Sequence, residues 1–337
     1  MNKPLAALTL ASVAALALAG CAGTPASGGS DDGKVQVVAS TNVYGSLAAQ
    51  IGGDRVDVTS IITSVSQDPH SYEASARDRL TLQKADLVIE NGGGYDAFIE
   101  PLLEGVEGAA VVTAVEYAHD YPGGDAHDEH ADEEHADDEQ AEEGGEASEE
   151  HADEGHEGHD HIEGFNEHVW FDPDAMIHVV EEIAHELGEL DPDGAADFTA
   201  SADEIITELE GFEADLDTIK TDADGANVVI TEPLPGYISE AAGLTDVTPE
   251  GFAESVEEGS DVAPAVLLGT LEVIASGDVA AVLTNAQTGG TETERVEQAA
   301  KDAGIPVVGF TELLEDGSSY SEWMRDAIQS LAAAVQP

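Results

Sequence analysis

VQVVASTNVYGSLAAQIGGDRVDVTSII, residues 35–62, is the stretch that decides the fold. Val35 to Ser40 is a short apolar run of strand character. Val43 to Ile51 has helical composition and is closed by Gly52-Gly53. Val56 to Ile62 is β-branched and again strand-like. A strand, a helix and a second strand in so short a span form the repeating unit of a parallel sheet. Outward from there the rhythm continues. Ala74 to Lys84 reads as a helix, Leu87 to Glu90 as a strand, Asn91-Gly92-Gly93-Gly94 as a turn, Tyr95 to Leu103 as a helix and Ala110 to Val112 as a strand.

A second set of elements follows. Asp172-Pro173 opens a helix, with proline suited to the first turn, and Met176, Ile177, Val180, Ile183, Ala184 and Leu187 recur at helical spacing. Gly188 and Asp191-Pro192-Asp193-Gly194 interrupt it. A longer helix is expected from about Ala196 to Ile219, with Phe198, Ile205, Leu209, Phe212, Leu216 and Ile219 on one face. Strands are then expected at Asn227–Thr231, Thr245–Val247, Val279–Thr284 and Val307–Phe310. Helices are expected at Tyr237–Ala242, Val262–Ala275, Thr291–Ala303 and Tyr320–Val335. The fold class is α/β: two lobes, each with a mostly parallel sheet flanked by helices, joined by a long rigid helix. The boundaries read as 35–190 for the first lobe, 195–222 for the linking helix and 225–337 for the second lobe.

The N-terminus reads as a targeting segment over residues 1–20. Lys3 supplies a positive start, and Leu5 to Ala19 form an apolar run too short to span a bilayer comfortably. Leu18-Ala19-Gly20-Cys21 resembles the bacterial lipoprotein cleavage box, so Cys21, the sole cysteine, is the expected lipidation site. Residues 21–34 read as a flexible tether. One cysteine excludes internal disulfides. The expected location is the extracellular face of the cytoplasmic membrane, held by acyl chains.

Acidic residues number 72 against 10 basic ones, a formal charge of −62. Such a surface repels nucleic acid and anionic headgroups and attracts cations; a saline habitat is the alternative explanation. Residues 118–164 form a tract of little but His, Asp, Glu, Gly and Ala, expected to be a disordered insert in the first lobe. Eight histidines lie in it: His119, His127, His130, His135, His151, His156, His159 and His161. They suit an auxiliary metal-collecting loop, or else a solvated spacer.

Four residues fall at loop positions near strand ends, where ligands gather in open α/β sheets. His70 follows the 56–62 strand and its turn, and His168 precedes the Asp172 helix. Glu232 follows the 227–231 strand, and Glu312 follows the 307–310 strand. Two neutral imidazoles and two carboxylates offset the charge of a divalent cation. Taken singly, a histidine before a helix is more often a structural hydrogen-bonder, and a glutamate is more often solvated. Other chemistries lack their motifs. The Gly92–Gly94 turn has no Lys-Ser/Thr of a phosphate loop, and His-Glu-x-x-His and a serine nucleophile elbow are missing. His178 and His185 read as surface or packing residues.

Asp68-Pro69-His70-Ser71-Tyr72-Glu73 resembles the D-P-H-x-Y-E signature of the metal-binding solute-receptor lipoproteins of zinc and manganese ABC importers. His168-Val169-Trp170-Phe171-Asp172-Pro173 resembles their second motif, and a His-rich acidic insert before it is typical of the zinc members. Leu87 to Gly92 resembles their strand ending in Asn-Gly. The resemblance implies one ion between two lobes, with His70 and His168 as its first two ligands. The third position is His in many zinc receptors and Glu in many manganese receptors; here it is Glu232. The fourth is usually Asp; here it is Glu312. The implied cargo is Zn2+, with Mn2+ as the alternative. The implied partners are an ABC permease and its ATPase. The chain is expected to act as a monomer, to bind no nucleic acid and to catalyse no reaction. A secreted metal-storage or chaperone protein is the rival reading.

Overall fold

Six of the seven residues of Val35–Thr41 (β1) are buried, the near-continuous burial of a parallel strand covered on both faces. This first strand organises a computed structural model that describes residues 33–122, 162, 164–315 and 317–336. After β1 come Asn42–Gly52 (α1), Val56–Ile62 (β2), Ala76–Leu82 (α2), Leu87–Glu90 (β3), Glu100–Leu103 (α3) and Ala110–Thr113 (β4). Pro173–Leu190 (α4) and Ala195–Ala223 (α5) follow. The remainder is Asn227–Ile230 (β5), Gly236–Ala241 (α6), Thr245–Asp246 (β6), Phe252–Glu257 (α7), Pro264–Ala275 (α8), Val279–Asn285 (β7), Thr291–Ala303 (α9), Val307–Phe310 (β8) and Tyr320–Val335 (α10).

The strands form two four-stranded sheets, ordered β2-β1-β3-β4 and β6-β5-β7-β8, with every pair parallel. Each order reverses direction once, between β1 and β3 and between β5 and β7. The carboxyl ends of the strands at such a reversal leave a crevice.

α5 makes the bridge. Its buried residues Phe198, Ala202, Ile205, Leu209, Phe212, Leu216 and Ile219 alternate spacings of four and three, a single apolar stripe. The stripe packs against α1 and α4 of the first lobe and α6 and α10 of the second, and it belongs to one continuous core with both. At 29 residues the helix is about 43 Å long.

Local chemistry fixes the helix starts. Asp172 caps α4, its Oδ1 accepting from the backbone N–H groups of Asp174 and Ala175, with Pro173 in the first turn. Ser75 with Asp78 and Ser319 with Glu322 form reciprocal capping boxes on α2 and α10.

Some expected elements came out differently. The helix expected over Tyr95–Leu103 is a run of turns up to Phe98, and α3 begins only at Glu100. The cause is Asp96. Its Oδ2 accepts from Asn91 N at 2.6 Å and its Oδ1 from Gly92 N at 2.8 Å, so the chain folds back over the carboxylate. Gly92 makes this possible: its φ is +78°, and a Cβ there would stand 2.6 Å from Thr113 Cγ2. α7 had no counterpart in the sequence reading.

Candidate metal centre

The strand ends of the two sheets face each other across a cleft of about 450 Å³. His70, His168, Glu232 and Glu312 all line it, together with Asp68 and Glu257. Both sheets contribute, although the four residues are up to 242 positions apart in the chain.

His70 is carried by the loop after β2. Asp68 holds that loop, accepting from His70 N at 3.0 Å and from the Ser71 hydroxyl at 2.7 Å. The imidazole is 9% exposed, and its Nδ1 lies 3.8 Å from Glu167 Oε1. Tyr95 meets it edge-on at 4.9 Å.

His168 is fully buried just before the turn Val169–Phe171 that leads into α4. Asn166 fixes it. Asn166 Nδ2 donates to Pro233 O, so its Oδ1 is the atom that faces His168. That oxygen accepts from the backbone N–H of His168 at 3.1 Å and from the ring Nδ1 at 2.7 Å. An amide oxygen only accepts, so Nδ1 carries the proton and Nε2 the lone pair. Nε2 lies 3.9 Å from Glu257 Oε1. The His70 and His168 rings are 6.0 Å apart.

Glu232 sits two residues beyond β5 and is buried; the Thr288 hydroxyl lies 2.6 and 2.7 Å from its two oxygens. Burial pushes its carboxyl above the usual range, opposed by Thr288 and Asn285. Glu312 follows β8 and is also buried. Its Oε1 accepts from Asn285 Nδ2 at 2.7 Å and its Oε2 from the Tyr95 hydroxyl at 3.2 Å. Gln287 Oε1 pins its backbone, accepting from the N–H groups of Glu312 and Leu313. Burial, with Glu232 and Asp68 adding repulsion and Asn285 opposing, pushes Glu312 up to about 7.

Two further carboxylates stand here that the sequence reading did not single out. Glu167 is 2% exposed, and one of its oxygens lies within 4.8 Å of ligand atoms of both His70 and His168, a grouping able to hold a metal ion. Asn91 Nδ2 donates to its backbone carbonyl at 2.9 Å. Adjacency to His168 was the only available signal. Glu257 ends α7, and its carboxyl is pushed well up by burial and by Glu167, Glu232 and Glu312. Glu232 and Glu312 line the cleft without joining the tight Glu167 grouping.

Of the insert histidines, His119 stands outside the cleft lining, 62% exposed, with Nδ1 3.7 Å from Asp172 Oδ2. The other seven, His127, His130, His135, His151, His156, His159 and His161, lie outside the described residues, as does Cys21. Among the described residues no helix is long and apolar enough to cross a membrane.

Burying carboxylates beside imidazoles costs free energy unless something offsets the charge. A dication does so, and the nitrogen and oxygen donors suit a transition metal. Two parallel-sheet lobes with a long helix between them and a donor-lined cleft are the architecture of a two-lobed solute-binding protein. The chain belongs to the family described as zinc-uptake complex component A, periplasmic, which residues 37–334 match. This is a family of solute-binding receptors, not an enzyme class. The manganese-binding lipoprotein MntA of Halalkalibacterium halodurans is 26% identical over 302 residues, 88% of this chain and 85% of that protein. The zinc-binding protein AdcA of Streptococcus pyogenes is 25% identical over 237 residues, 67% of this chain and 41% of AdcA. The solved structure of the periplasmic zinc binding protein TroA from Treponema pallidum is similar in fold. It has a TM-score of 0.66 at 19% identity, covering 90% of this chain and all of that one.

Proposed function

We propose that this chain is an extracytoplasmic receptor that takes one divalent metal ion into the cleft and delivers it to the permease of an ABC importer, powered by a separate ATPase. His70, His168, Glu232 and Glu312 are its proposed ligands, and Cys21 its proposed lipid anchor. The observation that carries the reading is the convergence of these four side chains on one cleft from both lobes. The names of the similar proteins MntA and AdcA agree with it.

The cleft is rich in carboxylate: Glu232, Glu257 and Glu312 line it, and Glu167 stands beside the histidines. Zn2+ is the proposed ion, favoured by the insert and by raw affinity at any mixed nitrogen and oxygen site. Mn2+ is the alternative, because oxygen-rich sites suit manganese.

Titrating the metal-free chain with Mn2+ and Zn2+ tests the receptor reading. One tight site is expected, retained when residues 123–161 are deleted and lost in His70→Ala. A storage protein would give the opposite pattern, with several ions lost on deletion and little change in His70→Ala.

A further inference from the structure

Glu257 reaches the cleft from an element that contributes none of the four proposed ligands. Its helix, α7, is a short one anchored by Phe252, which is fully buried in the second lobe's satellite core with Val229 and Val282. The chain beyond it, Gly259 to Val262, forms part of the cleft wall.

Three observations set this carboxylate apart. Its side chain is 12% exposed, and Oε1 is buried with no hydrogen-bond partner among the described residues. A buried oxygen without a donor calls for an explanation, and an ion is one of the standard ones. Oε1 also faces the lone-pair nitrogen of His168 at 3.9 Å. Two donors on one ion, with bonds of about 2.0 to 2.2 Å, stand no more than about 4.3 Å apart. This pair is within reach of one shared ion, while Glu257 stands outside the tight grouping of His70, Glu167 and His168 and would join those donors by a closing movement of α7. Finally, Glu257 is the last residue of α7, at the end of the helix whose dipole disfavours an anion. Nothing in its own element stabilises its charge.

We propose that Glu257 is a metal ligand that closes on the ion beside His168, adding a fifth donor to the four already named and tilting the site toward Mn2+ over Zn2+. The proposal rests on the metal-receptor reading. Four donors satisfy zinc, which takes tetrahedral geometry. Manganese prefers a larger set dominated by oxygen, so it gains from a further carboxylate where zinc does not.

The test uses the metal-free mature chain and its Glu257→Ala and Glu257→Gln variants, titrated with Mn2+ and with Zn2+. In Glu257→Ala, Mn2+ affinity is expected to fall by about tenfold or more while Zn2+ affinity changes by less than about threefold. Glu257→Gln, which keeps the side-chain size and one oxygen, is expected to fall between Glu257→Ala and the unsubstituted chain. Co2+ serves as an optical probe of coordination number, since tetrahedral cobalt absorbs visible light more strongly than five- or six-coordinate cobalt. Loss of Glu257 is expected to strengthen that absorption. Unchanged Mn2+ affinity, an equal fall for both ions, or an unchanged cobalt spectrum overturns the proposal. Should Glu257→Ala not fold, Glu257→Gln decides on the same criteria. Failure of the receptor reading is distinct: the unsubstituted chain would then bind neither Mn2+ nor Zn2+.

Discussion

Asn166 does for His168 what a carboxylate often does for a metal-bound histidine: its Oδ1 accepts a hydrogen bond from Nδ1–H and leaves the Nε2 lone pair for the cleft. Asn166→Ala is expected to weaken metal binding by about 10- to 100-fold with circular dichroism unchanged; binding as tight as in the unsubstituted chain would remove Asn166 from the account. Glu312 supplies a pH dependence. It is pushed up to about 7 in the folded protein against an ordinary value of 4.5. Between those values the folded, metal-free protein keeps a proton that the unfolded chain has lost. The contribution therefore favours folding most below about 4.5 and declines as pH rises to about 7, by up to about 3 kcal/mol. Thermal melts of the metal-free protein from pH 5 to pH 8 are expected to show this fall, and Glu312→Gln to flatten it. An identical slope in the variant would contradict the assignment. The same proton must leave when an ion binds, so metal affinity is expected to weaken below about pH 7. That His70, His168, Glu232 and Glu312 fall near strand or helix ends was legible, because each follows or precedes a recognisable element or motif, and the structure places all four along one cleft. Glu257 was not, because its relevance depends on where α7 lands, and Tyr95 reaches Glu312 across 217 positions of chain, a separation no local pattern reports.

Among the elements, α5 was readable in its start and its buried face, since a stripe of apolar side chains at spacings of four and three has one stable interpretation, although the helix runs to Ala223, four residues past the expected end at Ile219. Gly211 sits on the exposed side of that helix, and a Cβ there meets nothing within 4 Å. Gly211→Ala is expected to stabilise the protein by about 0.5 to 1 kcal/mol, read from chemical denaturation; destabilisation would mean that the helix is strained or packed there. The segment after β3 was the hardest to read. Tyr95 to Leu103 has helical composition, but Asp96 captures two backbone N–H groups and holds the first half as turns. A side chain that competes locally for the backbone defeats a reading based on composition. α7, only six residues long, is too short for periodicity to reveal.

At the scale of the whole molecule, hydrogen bonds stitch the lobes together besides α5. Asn42 exchanges a pair with the backbone of Leu314, Gln287 Nε2 donates to Val65 O, and Asn166 Nδ2 donates to Pro233 O. A long helix packed on both lobes and these cross-links oppose a wide hinge, so release is expected through small shifts of the cleft loops. The net charge of −62 sets another global property. Raising salt from 0.1 M to 1 M shortens the screening length from about 10 Å to about 3 Å, and the metal-free melting temperature is expected to rise with it; a flat response would mean that the acidic surface does not limit stability. The receptor role requires a single ion in the cleft, shared by the two lobes. Anomalous diffraction from crystals grown with Mn2+ or Zn2+, collected at the metal's absorption edge, tests that most directly. One strong peak is expected, in contact with His70, His168, Glu232 and Glu312. An empty cleft, with the metal held elsewhere or not at all, would contradict it.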